Sequence, residues 1–113
     1  MKILHNPRCS KSRKPLALIE QAGVEPEVVL YLETPPAADE LDEILGKLGL
    51  EPMELVRRGE EIYKELGLGG RELSRQELID LMVAHPKLIE RPIVIAGERA
   101  VLGRPPENVT ELL

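Results

Sequence analysis

The chain has no phenylalanine and no tryptophan, and its two tyrosines, Tyr31 and Tyr63, are its whole aromatic content. Leucine, isoleucine and valine must therefore fill the core, and a nucleic-acid platform of stacked rings has nothing to be built from. Cysteine occurs once, at Cys9, which excludes an internal disulfide and any cysteine-rich zinc site. The two histidines, His5 and His85, stand 80 positions apart without clustered carboxylates, so no metal site is expected. Nor is there an apolar run near the roughly 20 residues of a membrane span. Met1-Lys2 leads straight into a short apolar segment, without the hydrophobic core of a secretory leader. The expectation is a cytoplasmic chain with no membrane partner.

Negative charge is missing from one end. The first 19 residues hold Lys2, Arg8, Lys11, Arg13 and Lys14 and no acid, so the rest of the chain sets ten bases against all twenty acids. A local positive site on an acidic body suits a small anionic ligand. A nucleic-acid backbone would call for a broad basic face, so no nucleic acid is expected as a partner.

What is present fits one domain with a modest core: 113 residues, 42% of them hydrophobic. Lys2-Ile3-Leu4-His5 reads as a strand, and Asn6-Pro7 as a turn. Ser10 to Ala22 reads as a helix with Leu16, Ile19 and Ala22 or Gly23 on one face, stopped by Gly23. Glu27 to Leu32 is an unbroken apolar run of the kind found in buried strands, ended by Thr34-Pro35-Pro36. A helical block of about 37–85 follows. Leu41, Ile44, Leu45 and Leu48 lie at helical spacing, and Glu51-Pro52 opens a short helix. Ser74 and Glu77 fit a capping box, after which Leu78, Leu81 and Met82 form a buried face up to His85-Pro86. Arg91 to Ala96 and Arg99 to Leu102 form a hairpin around Gly97-Glu98. A last short helix ends at Leu112. The order β-α-β, helical block, β-β-α makes the block an insertion within a single α/β domain spanning 1–113, because strands from both ends must share a sheet.

The chemistry concentrates in His5-Asn6-Pro7-Arg8-Cys9-Ser10-Lys11-Ser12-Arg13. Cys9 stands where a strand ends and a helix begins, facing unpaired backbone N–H groups and the positive end of the helix dipole. Both lower a thiol's pKa, and Arg8, Lys11, Arg13 and Lys14 act in the same direction. A lone cysteine is ordinarily a buried small hydrophobe. Flanked by Pro7-Arg8 and Ser10-Lys11, this one is read as reactive, and its resolving thiol must come from another molecule.

The element order is that of the thioredoxin/glutaredoxin fold, which carries a redox cysteine after its first strand and a cis-proline before its third. The resemblance makes Pro92 the candidate for that proline. His5 to Arg13 resembles the signature of the glutaredoxin-dependent arsenate reductases and their Spx-type relatives. Leu30-Tyr31-Leu32-Glu33-Thr34-Pro35-Pro36, Glu54-Leu55-Val56-Arg57-Arg58, the run from His85 to Val94, and Gly103-Arg104-Pro105 are similar to the later blocks of that family. This resemblance implies a glutathione- and glutaredoxin-dependent arsenate reductase with glutathione as co-substrate; a monomer with no tightly bound cofactor is expected. It implies Cys9 as the nucleophile, with Ser12 and His5 beside it, and substrate binding by Arg57, Arg91 and Arg104. Arginine's planar fork suits a tetrahedral oxyanion. The loop Cys9-Ser10-Lys11-Ser12 departs from the Cys-Gly-Thr-Ser of some well-known reductases.

Several residues keep two readings. Ser12 occupies the place of a second cysteine in Cys-x-x-Cys proteins; its hydroxyl either bonds the thiolate or is a plain first-turn polar group. His5 either adds positive potential beside Cys9 or packs at the strand end. Arg13 is read as a local electrostatic group, and Arg58 and Arg99 as solvated cations. A phosphatase-like Cys-x5-Arg loop is ruled out by Pro15, six residues after Cys9. Two other functions remain open: a glutathione-dependent thiol transferase, and an Spx-type regulator that binds RNA polymerase. Ser12 counts against the second, which commonly uses Cys-x-x-Cys.

Overall fold

The computed structural model describes residues 1–8 and 10–113, with Ser10, Lys11 and Ser12 described by their backbone only. Two compact units form, one from Met1–Thr34 with Arg91–Leu113 and one from Pro35–Glu90.

In the first unit, β1 (Lys2–Leu4), β2 (Glu27–Val29), β3 (Ile93–Ala96) and β4 (Arg99–Leu102) make one sheet in the order β2-β1-β3-β4. β1 pairs parallel with β2, with Lys2 opposite Glu27 and Leu4 opposite Val29, and antiparallel with β3, with Ile3 opposite Val94. β3 and β4 form the expected hairpin, turning at Gly97, which takes a left-handed φ of 61°. Strands from both ends of the chain thus meet in one sheet, as the element order required.

Alternation along the strands sends Ile3, Val94 and Val101 to one face. There they pack with Ile19, Leu16 and Leu18 of α1 (Ser10–Gln21), and with Val109 and Leu112 of a C-terminal 3-10 helix (Pro106–Leu112). Helix α1 ends as its sequence predicts. Gly23 takes φ 84°, its N–H donates to the Glu20 carbonyl, and Val24 N–H reaches back to Ile19. This double closure satisfies carbonyls that the helix end leaves over. Ala22 and Gly23 are exposed, so the buried face is carried by Pro15 and Ile19.

Two expectations for β2 are corrected. The strand stops at Val29 instead of Leu32, because the Leu30 carbonyl accepts from Glu33 and Thr34 N–H, both at 2.9 Å, and closes a turn. That turn buries Tyr31 completely. β2 is also an edge strand, not a buried one, and Val28 is 43% exposed. Strand β3 begins at Ile93 and not at Arg91, since Pro92 has no N–H to give the ladder.

The second unit is helical: α2 (Ala38–Leu48), α3 (Pro52–Leu55), α4 (Glu61–Glu65) and α5 (Arg75–Ala84), with short 3-10 turns at Leu68–Gly70 and Pro86–Leu88. Leu41, Ile44 and Leu45 of α2, Leu55 of α3, and Leu78, Ile79 and Met82 of α5 are buried. Ile79 takes the buried place expected for Leu81, which is only half-buried. The capping box at α5 forms as expected: Glu77 N–H donates to Ser74 Oγ at 3.2 Å, and Ser74 N–H to Glu77 Oε1 at 3.4 Å. One isolated antiparallel bridge, Val56 to Ile89, ties α3 to the segment after α5. Its hydrogen bonds are Arg57 N–H to Leu88 O at 2.7 Å and Glu90 N–H to Leu55 O at 2.8 Å.

Candidate active site

The segment leading to Cys9 is built at the carboxyl ends of parallel β1 and β2, where open α/β sheets commonly place ligands. His5 extends the ladder by one bond, N–H to Val29 O at 2.8 Å, and its residue surface is 5% exposed. Burial gives the packing reading of His5 its support, while the residue still lines a cavity of about 190 Å³ shared with Asn6, Pro7, Arg8, Leu30, Leu32 and Glu33. Asn6 then turns the chain: its Oδ1 accepts from Arg8 N–H at 3.1 Å, an Asx-type turn that complements Pro7. Arg8 is exposed. Cys9 and the Ser12 side chain lie outside the described residues. The backbone resumes as helix at Ser10, and no acid occurs in the first turn of α1. Arg13 is exposed on that helix.

A second piece of the site comes from the two loops flanking the β3–β4 hairpin. The Arg91–Pro92 peptide is cis, as the resemblance implied, and so is Arg104–Pro105, which nothing in the sequence singled out. Gly103 N–H donates to the Pro92 carbonyl at 2.9 Å, which ties the two loops together one residue from each arginine. Arg91 and Arg104 are both half-buried. Asn108 braces the second loop, its side-chain amide donating to Leu102 O at 3.1 Å and Arg104 O at 3.2 Å. Gly103 is buried tightly: a β-carbon added there would lie 2.8 Å from Pro92 Cγ and 2.9 Å from Pro15 Cγ. The cis-proline, the Arg104 loop and the second turn of α1 therefore meet at one glycine.

Arg57 belongs to the helical unit. Its backbone is held by the Val56–Ile89 bridge, and its guanidinium is held by two carboxylates. Nη1 donates to Glu60 Oε1, and Nε lies 3.5 Å from Glu90 Oε1. Arg58 and Arg99 are exposed, as expected of solvated cations. Sequence reasoning missed Glu60, Glu90, Gly103 and Asn108. The three-residue spacing of Arg57 and Glu60 was a local signal. The Arg57–Glu90 pair had none, because it depends on the bridge. Among the described residues no group of three or more His, Cys, Asp or Glu side chains is arranged to hold a metal ion. No helix among them is long and apolar enough to cross a membrane.

A mixed sheet in the order β2-β1-β3-β4, with α1 opening just after a cysteine and a cis-proline before β3, defines a thioredoxin-like α/β protein. The solved arsenate reductase from Vibrio cholerae superposes with a TM-score of 0.95 at 52% identity, covering 99% of this chain and 96% of that one. The chain belongs to the ArsC family, whose pattern it matches over residues 4–112. Curated relatives include the uncharacterised YfgD protein of Escherichia coli, 55% identical over 100% of this chain and 96% of its own length. An arsenate reductase of Neisseria meningitidis is 48% identical over 100% of this chain and 97% of its own length.

Proposed function

We propose that this protein is an arsenate reductase in which Cys9 is the nucleophile. The observation that carries the reading is the tie between Gly103 and Pro92, which holds Arg91 and Arg104 on adjacent loops packed against the helix that opens after Cys9. Two half-buried arginines on neighbouring loops can meet a tetrahedral oxyanion with charge-assisted hydrogen bonds. The arsenate reductases among the relatives support the same substrate.

In this scheme the Cys9 thiolate attacks arsenic, an As–S bond forms as one As–OH bond breaks, and the departing hydroxyl takes a proton from solvent and leaves as water. Arg91 and Arg104 offset the charge on the remaining oxygens, and Arg13 adds to the local positive potential; oxyanion binding by Arg57 rests on the resemblance of the motif Glu54-Leu55-Val56-Arg57-Arg58. Glutathione then attacks the Cys9 sulfur. The As–S electron pair stays on arsenic, which departs as arsenite, and a Cys9–glutathione disulfide remains. Glutaredoxin reduces that disulfide and restores the thiol. Ser12 supplies a hydroxyl to the thiolate, and His5 backs the loop. The scheme needs no tightly bound cofactor and no metal, and it operates with a cytoplasmic monomer.

Arsenate-dependent oxidation of NADPH, coupled through glutathione, glutaredoxin and glutathione reductase, tests the reading with wild type and Cys9→Ser side by side. Turnover in wild type and none in Cys9→Ser is expected. A wild type that ignores arsenate but reduces a glutathione mixed disulfide would identify a thiol transferase instead.

A further inference from the structure

We infer that Glu60 is an internal competitor for the oxyanion: it occupies Arg57 in the resting protein, and the incoming anion must displace it. The inference rests on the assignment of Arg57 to oxyanion binding. Arg57 does not wait with an empty fork. Its Nη1 donates to Glu60, while its Nε faces Glu90 at 3.5 Å. A guanidinium binds an anion most tightly when two parallel N–H groups are available on one edge. With Nε facing one carboxylate and Nη1 engaged by another, both forks of the guanidinium already have a carboxylate on one of their nitrogens.

The two carboxylates differ in how they are held. Glu90 is placed by the Val56–Ile89 bridge, with its own N–H bonded to Leu55 O at 2.8 Å. Glu60 lies in a turn just outside α4, its N–H 3.3 Å from Arg57 O. It takes the N-cap position of α4, yet its side chain makes no capping hydrogen bond. Its carboxylate is committed to Arg57 instead. The Glu60 side chain is 27% exposed, so on release it can rotate into water without disturbing the core. Glu60 is therefore the partner that an anion can displace at least cost. Half-exposed ion pairs of this kind are worth a modest amount, enough to tune affinity without blocking the site.

The test is the KM for arsenate in the coupled assay, measured for wild type, Glu60→Gln, Arg57→Ala and the double variant. Glu60→Gln keeps the side-chain length and removes the charge. It is expected to lower KM by about twofold to fivefold, the range for a partly exposed ion pair, with kcat changing less than KM. In the Arg57→Ala background the same substitution is expected to leave KM where it was. A purely structural role for Glu60 would raise KM, in either background. A KM that stays the same or rises in Glu60→Gln, while Arg57→Ala raises it, overturns the inference and leaves the function standing. If Arg57→Ala itself has no effect on KM, the assignment of Arg57 fails and the inference falls with it.

Discussion

At the scale of single residues, placement turns on what the local backbone already commits. Asn6 closes its turn onto Arg8 with one hydrogen bond, so the approach to Cys9 is fixed by two residues that the sequence names as a turn. The arginines were legible as residue types but not as arrangements. Arg57 is engaged by Glu60 and Glu90, and Arg91 and Arg104 are brought near each other by a bond that belongs to neither. Replacing Arg57, Arg91 or Arg104 by alanine should each lower kcat/KM for arsenate roughly tenfold to a hundredfold, since a hydrogen bond to a charged group is worth about 1.5–3 kcal/mol. Alkylation of Cys9 by iodoacetamide should continue at nearly the wild-type rate in all three. Unchanged arsenate turnover in the whole set would remove the oxyanion assignment.

At the scale of elements, periodicity located α1, α2 and α5 well, because each buries a face at helical spacing and carries its own stop or cap. The capping box at Ser74 is a local device, and it formed as written. Strand β2 shows the opposite. Its apolar run to Leu32 mimics a buried strand, but an edge position and a local turn at Leu30 decide otherwise. Gly103 sits between elements, where the rings of Pro15 and Pro92 leave no room for a side chain. Gly103→Ala should therefore destabilise the protein by about 1–3 kcal/mol through overpacking, read as a lower urea midpoint with an unchanged m-value. A variant with wild-type stability would show that the contact relaxes freely.

At the scale of the molecule, net charge and its placement act together. Formal charge is −5 overall, yet the segment before Glu20 is wholly cationic. Substrate attraction to such a segment is screened by salt, with a Debye length of about 10 Å at 0.1 M. The KM for arsenate should rise as sodium chloride is raised from low to moderate concentration, while kcat moves less. A KM independent of ionic strength would argue against the cationic segment as the receiving surface. Each unit has a core of its own, one around Ile3, Ile19, Val94 and Val109 and one around Leu41, Leu45, Ile79 and Met82. Without phenylalanine, these cores are assembled mainly from branched aliphatic side chains, with Met82 among them. By itself the amino-acid order determined the element sequence, the helix stops and the cap at Ser74. Those features depend on contacts a few residues apart. Only the tertiary structure decided that Glu90 faces Arg57, that Gly103 joins the Arg91 and Arg104 loops, and that β2 lies at an edge. Each of those requires pairing between distant segments, and no local pattern encodes which backbone will lie opposite.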